Sequence, residues 1–272
     1  MSKNKHRVNF IAEIGENHMG DMILAKKMIV EAALAGANIV KFQSYSKDTF
    51  RSTDPEYSWF QKVSLSDEDH FLLKKCADEN NVEFMSAPFD MNRAIFLCET
   101  LDLKRIKVAS GKMNDKKLLT YLNENCDEVF LSTGMANLKE IKESLGYLKK
   151  VKVNILHCVS QYPLEYKNAN LNAIKTLINE FPNQNIGYSD HTCGVLASLV
   201  SIILGATIIE KHFTLNKNYK EGTDHILSAT PDELKKIIDT TKEISELLGD
   251  GVKAPRECEI EIVEFVRNRF VG

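Results

Sequence analysis

The sequence predicts an α/β fold, a (β/α)8 TIM barrel in a single domain over residues 1–272. Three observations carry that expectation. Short β-branched or apolar runs alternate eight times with longer segments of helical spacing. The 272 residues give 34 per unit, close to the roughly 30 that a strand–helix–strand module needs. No Gly-x-Gly-x-x-Gly follows the first run, which argues against an open dinucleotide-binding sheet.

Strands are expected at residues 8–14, 39–42, 83–86, 105–108, 129–132, 153–157, 185–188 and 207–210. They read as continuous apolar runs, as do strands of a parallel sheet covered by helices. Helices are expected at 22–35, 67–80, 91–101, 116–124, 138–149, 171–180, 194–204 and 231–248. Gly36 stops the first. Ser66 caps the second, with Asp67, Glu68 and Asp69 in the first turn, where the helix dipole favours anions. Thr230 caps the last and Gly249 ends it. Residues 44–64, with Tyr57 and Trp59, interrupt the alternation and read as a long loop after the second strand; loops of that length tend to be functional lids. No Pro/Gly/Ser-rich linker divides the chain, hence one domain.

Composition narrows the function classes. Hydrophobic residues make up 43% and charged residues 27%, which excludes a disordered or fibrous chain. With 35 Lys and Arg against 38 Asp and Glu the net charge is −3, so no nucleic-acid partner is expected. No charge lies between His191 and Glu210, but Gly205-Ala206 splits that stretch into a helix-like half and a β-branched half. A buried helix followed by a buried strand is expected there, and no membrane span. The basic residues 1–7 run into a strand, not into a signal-peptide apolar core. Cysteines 76, 98, 126, 158, 193 and 258 show no CxxC spacing and sit mostly in apolar segments, as buried thiols of a cytoplasmic protein do.

Barrel enzymes carry their chemistry at the C-terminal ends of the strands. Here those ends bear Glu13, Lys41 with Gln43, Pro88-Phe89, Lys107 with Ser110 and Lys112, Ser132-Thr133, His157-Cys158 with Ser160 and Tyr162, Ser189 with His191, and Glu210 with His212. Lys41, Lys107, Ser110 and Ser189 offer cations and donors for a phosphate or carboxylate. A strand lysine is costly to bury without an anion, so a purely structural reading of Lys41 and Lys107 is weak. His191 and His212 end adjacent strands, where two imidazoles can converge on one divalent metal and leave positions open for water and substrate oxygen. Glu13 is an acid, a base or a ligand for a substrate hydroxyl. Asn17-His18 either caps the next helix or serves the site, and His157 is either core or support for the site. Together these groups suit addition of a phosphorylated small molecule to a carbonyl.

At these residues the chain resembles the sialic acid synthase family, the N-acetylneuraminate, legionaminate and pseudaminate synthases. The resemblance runs through Ala12-Glu13-Ile14-Gly15-x-Asn17-His18-x-Gly20, Lys41-x-Gln43, Pro88-Phe89, Lys107-x-x-Ser110-Gly111, Ser132-Thr133-Gly134-Met135, His157-Cys158, Tyr162-Pro163, Ser189-Asp190-His191-Thr192 and Glu210-Lys211-His212-Phe213-Thr214, in order, from residue 8 to about 255. It implies a metal-dependent condensation of phosphoenolpyruvate with the open-chain aldehyde of an amino-sugar-type aldose, giving a 2-keto-3-deoxy sugar acid and phosphate. By resemblance, His191 and His212 are ligands of Mn2+ or Mg2+. Lys41, Lys107, Ser110 and Ser189 contact phosphoenolpyruvate, Gln43 and Tyr162 line the sugar pocket, Glu13 stands near acceptor and attacking water, and Asp224 is an acceptor-binding carboxylate. A homodimer is likewise a family expectation.

Three departures stand out. The family usually continues into a small antifreeze-like domain, whereas this chain stops at residues 267–272, so either acceptor recognition differs or a separate subunit caps the site. Lys112 stands where the family has Glu, reversing a charge and pointing to a more anionic acceptor. Ser160, on the phosphoenolpyruvate side, replaces a longer Asn, and Ala87 replaces Thr; both remove a possible contact. Two rival readings remain: a metal-dependent aldolase using free pyruvate, and a catalytically lapsed barrel serving as a binding subunit.

Overall fold

The computed structural model describes residues 8–46, 49–220, 222 and 224–269; the basic stretch 1–7 and the end of 267–272 lie outside the described residues. Eight parallel strands, β1 (Asn9–Gly15), β2 (Ile39–Ser44), β3 (Glu83–Pro88), β4 (Arg105–Val108), β5 (Glu128–Ser132), β6 (Lys152–Cys158), β7 (Asn185–Asp190) and β8 (Ile208–His212), pair in the order β3-β2-β1-β8-β7-β6-β5-β4. β4 lies against β3, which brings the sheet round into a barrel. The helices are α1 (Met22–Ala35), α2 (Tyr57–Val63), α3 (Asp67–Glu79), α4 (Met91–Ile95), α5 (Lys116–Asn125), α6 (Leu138–Leu145), α7 (Ala173–Glu180), α8 (Leu196–Ile203), α9 (Pro231–Leu248) and α10 (Ile260–Arg267).

Local chemistry sets the helix ends. Asp21 accepts from the amides of Ile23 and Leu24 to start α1, and Gly36 ends it in the left-handed region at φ 98°. Ser66 with Asp69, and Thr230 with Glu233, form reciprocal capping boxes at α3 and α9.

The two-residue period of the strands builds the site layer by layer. Outward residues such as Ala12, Val40, Val108, Leu131 and Ile209 join the large core between sheet and helices. Inward residues Ile11, Ile39, Met85, Phe130, Leu156 and Ile208 form a separate apolar plug across the lumen. Gly187 completes that plug by its size: a Cβ there would stand 2.4 Å from Leu156 Cδ2. Two residues further along the same strands come Glu13, Lys41, Ala87, Ser132, Cys158, Ser189 and Glu210, with Lys107 beside them. Two further still come Gln43, Ser160, His191 and His212. A dry apolar floor thus carries a charged layer, and that layer carries the imidazoles.

Several expectations need correction. The segment 44–64 holds a short helix, α2, because Tyr45, Phe50, Phe60 and Phe89 pack as an aromatic raft, with the Phe50 and Phe60 rings stacked 3.8 Å apart. Helix 91–101 is a short α-helix running into a π-helical turn, Phe96–Thr100. α10 was not expected; its Ile260, Ile262 and Phe265 side chains are exposed, so no burial period marks it in advance. The uncharged stretch after His191 folds as a half-buried helix and a buried strand, and among the described residues no helix is long and apolar enough to cross a membrane. Cys98, Cys126 and Cys158 are buried, whereas Cys193 and Cys258 are exposed.

Candidate active site

At the C-terminal mouth of the barrel a cavity of about 540 Å³ opens over the charged layer. At its foot Lys41 Nζ lies 2.8 Å from Glu13 Oε2 and 3.5 Å from Glu210 Oε2. Lys107 Nζ lies 3.6 Å from Glu210 Oε1 and donates to Ser132 Oγ at 2.7 Å. The Ser189 hydroxyl donates to Glu210 at 2.9 Å. Burial draws the Lys41 ammonium down, but Glu13 and Glu210 outweigh it and hold its pKa above the usual lysine value. Lys107 is drawn below that value by burial, only partly offset by Glu210 and deepened by Lys41. Burial pushes the Glu210 carboxyl up, yet Lys107, Lys41 and the Ser189 hydroxyl together carry it below the usual carboxylate range. Two ammoniums and two carboxylates cancel, so a multiply charged anion here calls for a further cation.

The two histidines stand above this layer with ring centres 5.5 Å apart. His191 Nδ1 lies 2.8 Å from the Val159 carbonyl, an acceptor that assigns the proton to Nδ1 and leaves Nε2 as a lone pair. Burial, reinforced by neighbouring His212, pushes the His191 pKa down to about 4, so the ring is neutral at neutral pH. His212 Nδ1 lies 3.4 Å from Asp224 Oδ2. Behind the rings, the outward alternates Asp190 and Lys211 pair at 3.0 Å with both side chains buried. Lys211 also donates to the Thr192 carbonyl at 2.8 Å, and Ser198 to Asp190 at 2.6 Å, which locks the ends of β7 and β8 together. Two imidazoles at adjacent strand ends fit a divalent ion; among the described residues no three His, Cys, Asp or Glu side chains form a ready cage, so water and substrate would complete the coordination.

The rim is built by loops. Gln43 Nε2 donates to Glu13 at 3.4 Å, and the Tyr162 ring lies 4.1 Å from that of His191. Glu16, just past β1, accepts from Trp59 Nε1 at 2.6 Å and from the Tyr45 hydroxyl at 3.0 Å. Trp59 also packs on Gly222 (φ +81°), where a Cβ would meet the indole at 3.2 Å. Helix α2 is thereby pinned between the loops after β1 and β8. Burial raises the Glu16 pKa to about 7 against the opposing bonds from Trp59 and Tyr45, with Asp224 and Glu56 adding to the rise.

Residues 28–253 match the sequence profile of the NeuB family. The chain belongs to that family. It is 38% identical over 282 residues to the N,N'-diacetyllegionaminic acid synthase of Campylobacter jejuni, covering 96% of this chain and 84% of the relative. The N,N'-diacetyllegionaminic acid synthase of Legionella pneumophila is 36% identical over 279 residues, covering 94% and 78%. The N-acetylneuraminic acid synthetase of Leptospira borgpetersenii, solved in complex with citrate, has a TM-score of 0.90 at 35% identity, covering 99% of this chain and 96% of that one. A truncated 3-deoxy-D-arabino-heptulosonate 7-phosphate synthase of Thermotoga maritima, at 15% identity and TM-score 0.71, shares the fold.

In this NeuB chain Glu13, Lys41, Gln43, Lys107, Ser110, Ser160, Tyr162, Ser189, His191, His212 and Asp224 all line the one cavity. Lys112 does not: its ammonium lies 2.9 Å from Asp115 Oδ2, turned to the start of α5. Asn17 donates to the Phe213 carbonyl and to Ser228, His18 Nδ1 accepts from the Gly20 amide, and His157 lies 2.9 Å from the Ala169 carbonyl, so all three brace loops around the site. Four lining residues with a hydroxyl or carboxyl side chain have no role assigned from sequence: Ser132, Glu210, Glu16 and Glu56. Glu210 had a usable signal, since it falls between inward Ile208 and His212 and two buried lysines need a counter-ion. For Glu16 and Glu56 the sequence offers none.

Proposed function

We propose that this NeuB-family enzyme condenses phosphoenolpyruvate with the open-chain aldehyde of an amino-sugar-type aldose, giving a sialic-acid-like 2-keto-3-deoxy sugar acid and inorganic phosphate. The observation that carries the reading is the pair of buried lysines flanking Glu210 directly beneath two imidazoles in one cavity. Lys41, Lys107, Ser110, Ser132 and Ser189 supply the donors for the phosphate and carboxylate groups. His191 and His212 would hold a divalent ion, Mn2+ or Mg2+; when bound, it polarises the aldehyde oxygen and adds the positive charge that the balanced foot of the cavity lacks.

The bonds balance simply. The enol carbon attacks the aldehyde carbon, whose oxygen takes up a proton. Water adds to the resulting C2 cation and gives up a proton, with Glu13 within the cavity to accept it. The C2–O bond to phosphate then breaks as the new C2 hydroxyl passes its proton to the departing phosphate and the ketone forms, and the proton given up by water balances the one taken up by the aldehyde oxygen. Gln43 donates to Glu13 and holds its carboxylate at the cavity wall.

Purified protein, Mn2+, phosphoenolpyruvate and a panel of N-acetylated aldoses are expected to release phosphate in an acceptor-dependent way. Product formation from free pyruvate, with phosphoenolpyruvate inert, would identify an aldolase instead.

A further inference from the structure

We infer that the outer end of this cavity selects an uncharged or amine-bearing acceptor and rejects a phosphorylated or carboxylated one, with Glu16 as the specificity-determining residue. The inference rests on the condensation proposed above, and it reverses the acceptor charge expected from Lys112. The aldehyde end of the acceptor must reach the imidazoles, so its tail extends towards the rim. The wall on that side carries Asp224 beside His212, then Glu16 and Glu56. Among the described lining residues the only Lys or Arg side chains are Lys41 and Lys107, both at the foot and both facing carboxylates. Lys112, which a charge argument from sequence would use to attract an anion, pairs with Asp115 outside the cavity.

Glu16 is held for the task. One carboxylate oxygen accepts from Tyr45 and the other from Trp59, so the group is fixed in orientation. Each oxygen keeps a second lone-pair direction for a hydroxyl or ammonium donor. A phosphate or carboxylate at the same place faces a wall of carboxyl groups and, among the described lining residues, no Lys or Arg outside the foot to compensate.

The test compares an N-acetylhexosamine with its 6-phosphate in the Mn2+-loaded enzyme, by phosphate release and by calorimetric binding of the two corresponding alditols. The neutral compound is expected to lead by about tenfold or more in both assays. Glu16→Gln, close in size, should shrink that ratio by about threefold or more; a purely structural role would weaken both acceptors alike and leave the ratio unchanged. Equal or better use of the 6-phosphate, or a ratio indifferent to Glu16→Gln, overturns the inference while leaving the condensation standing. No phosphate release from either acceptor, with the alditol preference intact, sinks the condensation and upholds the selection.

Discussion

His212→Ala is expected to abolish divalent-metal binding and to slow phosphate release by about 10³-fold or more, the kinetic equivalent of losing several kcal/mol of charge stabilisation. The reasoning is a count of ligands. Among the described residues only His191 and His212 present imidazoles to the cavity, at adjacent strand ends with ring centres 5.5 Å apart. Removal of one leaves a single neutral nitrogen, too weak a hold against water. The fold should survive, because the ends of β7 and β8 are tied by Lys211, Asp190, Thr192 and Ser198 and not by the histidine rings. Metal content by elemental analysis and turnover by phosphate release check the two halves separately. A variant that keeps both metal and rate would show that these imidazoles are not the ligands.

Glu210→Gln is expected to lower the stability of the unliganded protein by about 3–5 kcal/mol, the usual cost of leaving a buried charge without its partner. Lys41 retains Glu13 at 2.8 Å, but among the described residues Lys107 keeps hydrogen bonds only to the Ser132 hydroxyl and the Val108 carbonyl. The lost carboxylate should be replaceable by a bound anion. Inorganic phosphate or phosphoenolpyruvate is therefore expected to raise the unfolding midpoint of Glu210→Gln by more than it raises that of the unaltered protein. Urea titrations with and without phosphate read both effects. Identical midpoints, with no extra gain from phosphate, would mean that Glu210 is not the resting counter-ion of the lysines.

Much of this arrangement was legible in the sequence. The eight alternations follow from the strands being apolar on both faces, and the exact agreement at residues 22–35 and 231–248 follows from the signals around Gly36, Thr230 and Gly249. The strand-end polar residues that share the inward alternation converge because a closed parallel barrel turns every second side chain into its lumen, while their outward neighbours Asp190 and Lys211 pair behind it. What escaped the sequence depends on contacts across loops. Trp59 reaches Glu16 only because the aromatic raft around Tyr45 folds α2 back over the mouth. Lys112 turns away because Asp115, three residues on, offers a nearer carboxylate while capping α5. Substitution of one charge by another in a motif thus says little about a pocket until the local partner is known.

The most direct test of the central claim is a crystal soaked with phosphoenolpyruvate and Mn2+, with anomalous scattering used to find the metal. The expected result is a manganese peak between His191 and His212, with the phosphate and carboxylate of the ligand held by Lys41, Lys107 and the nearby serines. Manganese bound elsewhere, or phosphoenolpyruvate excluded from the cavity while Glu13 and Glu210 keep both lysines, would contradict it.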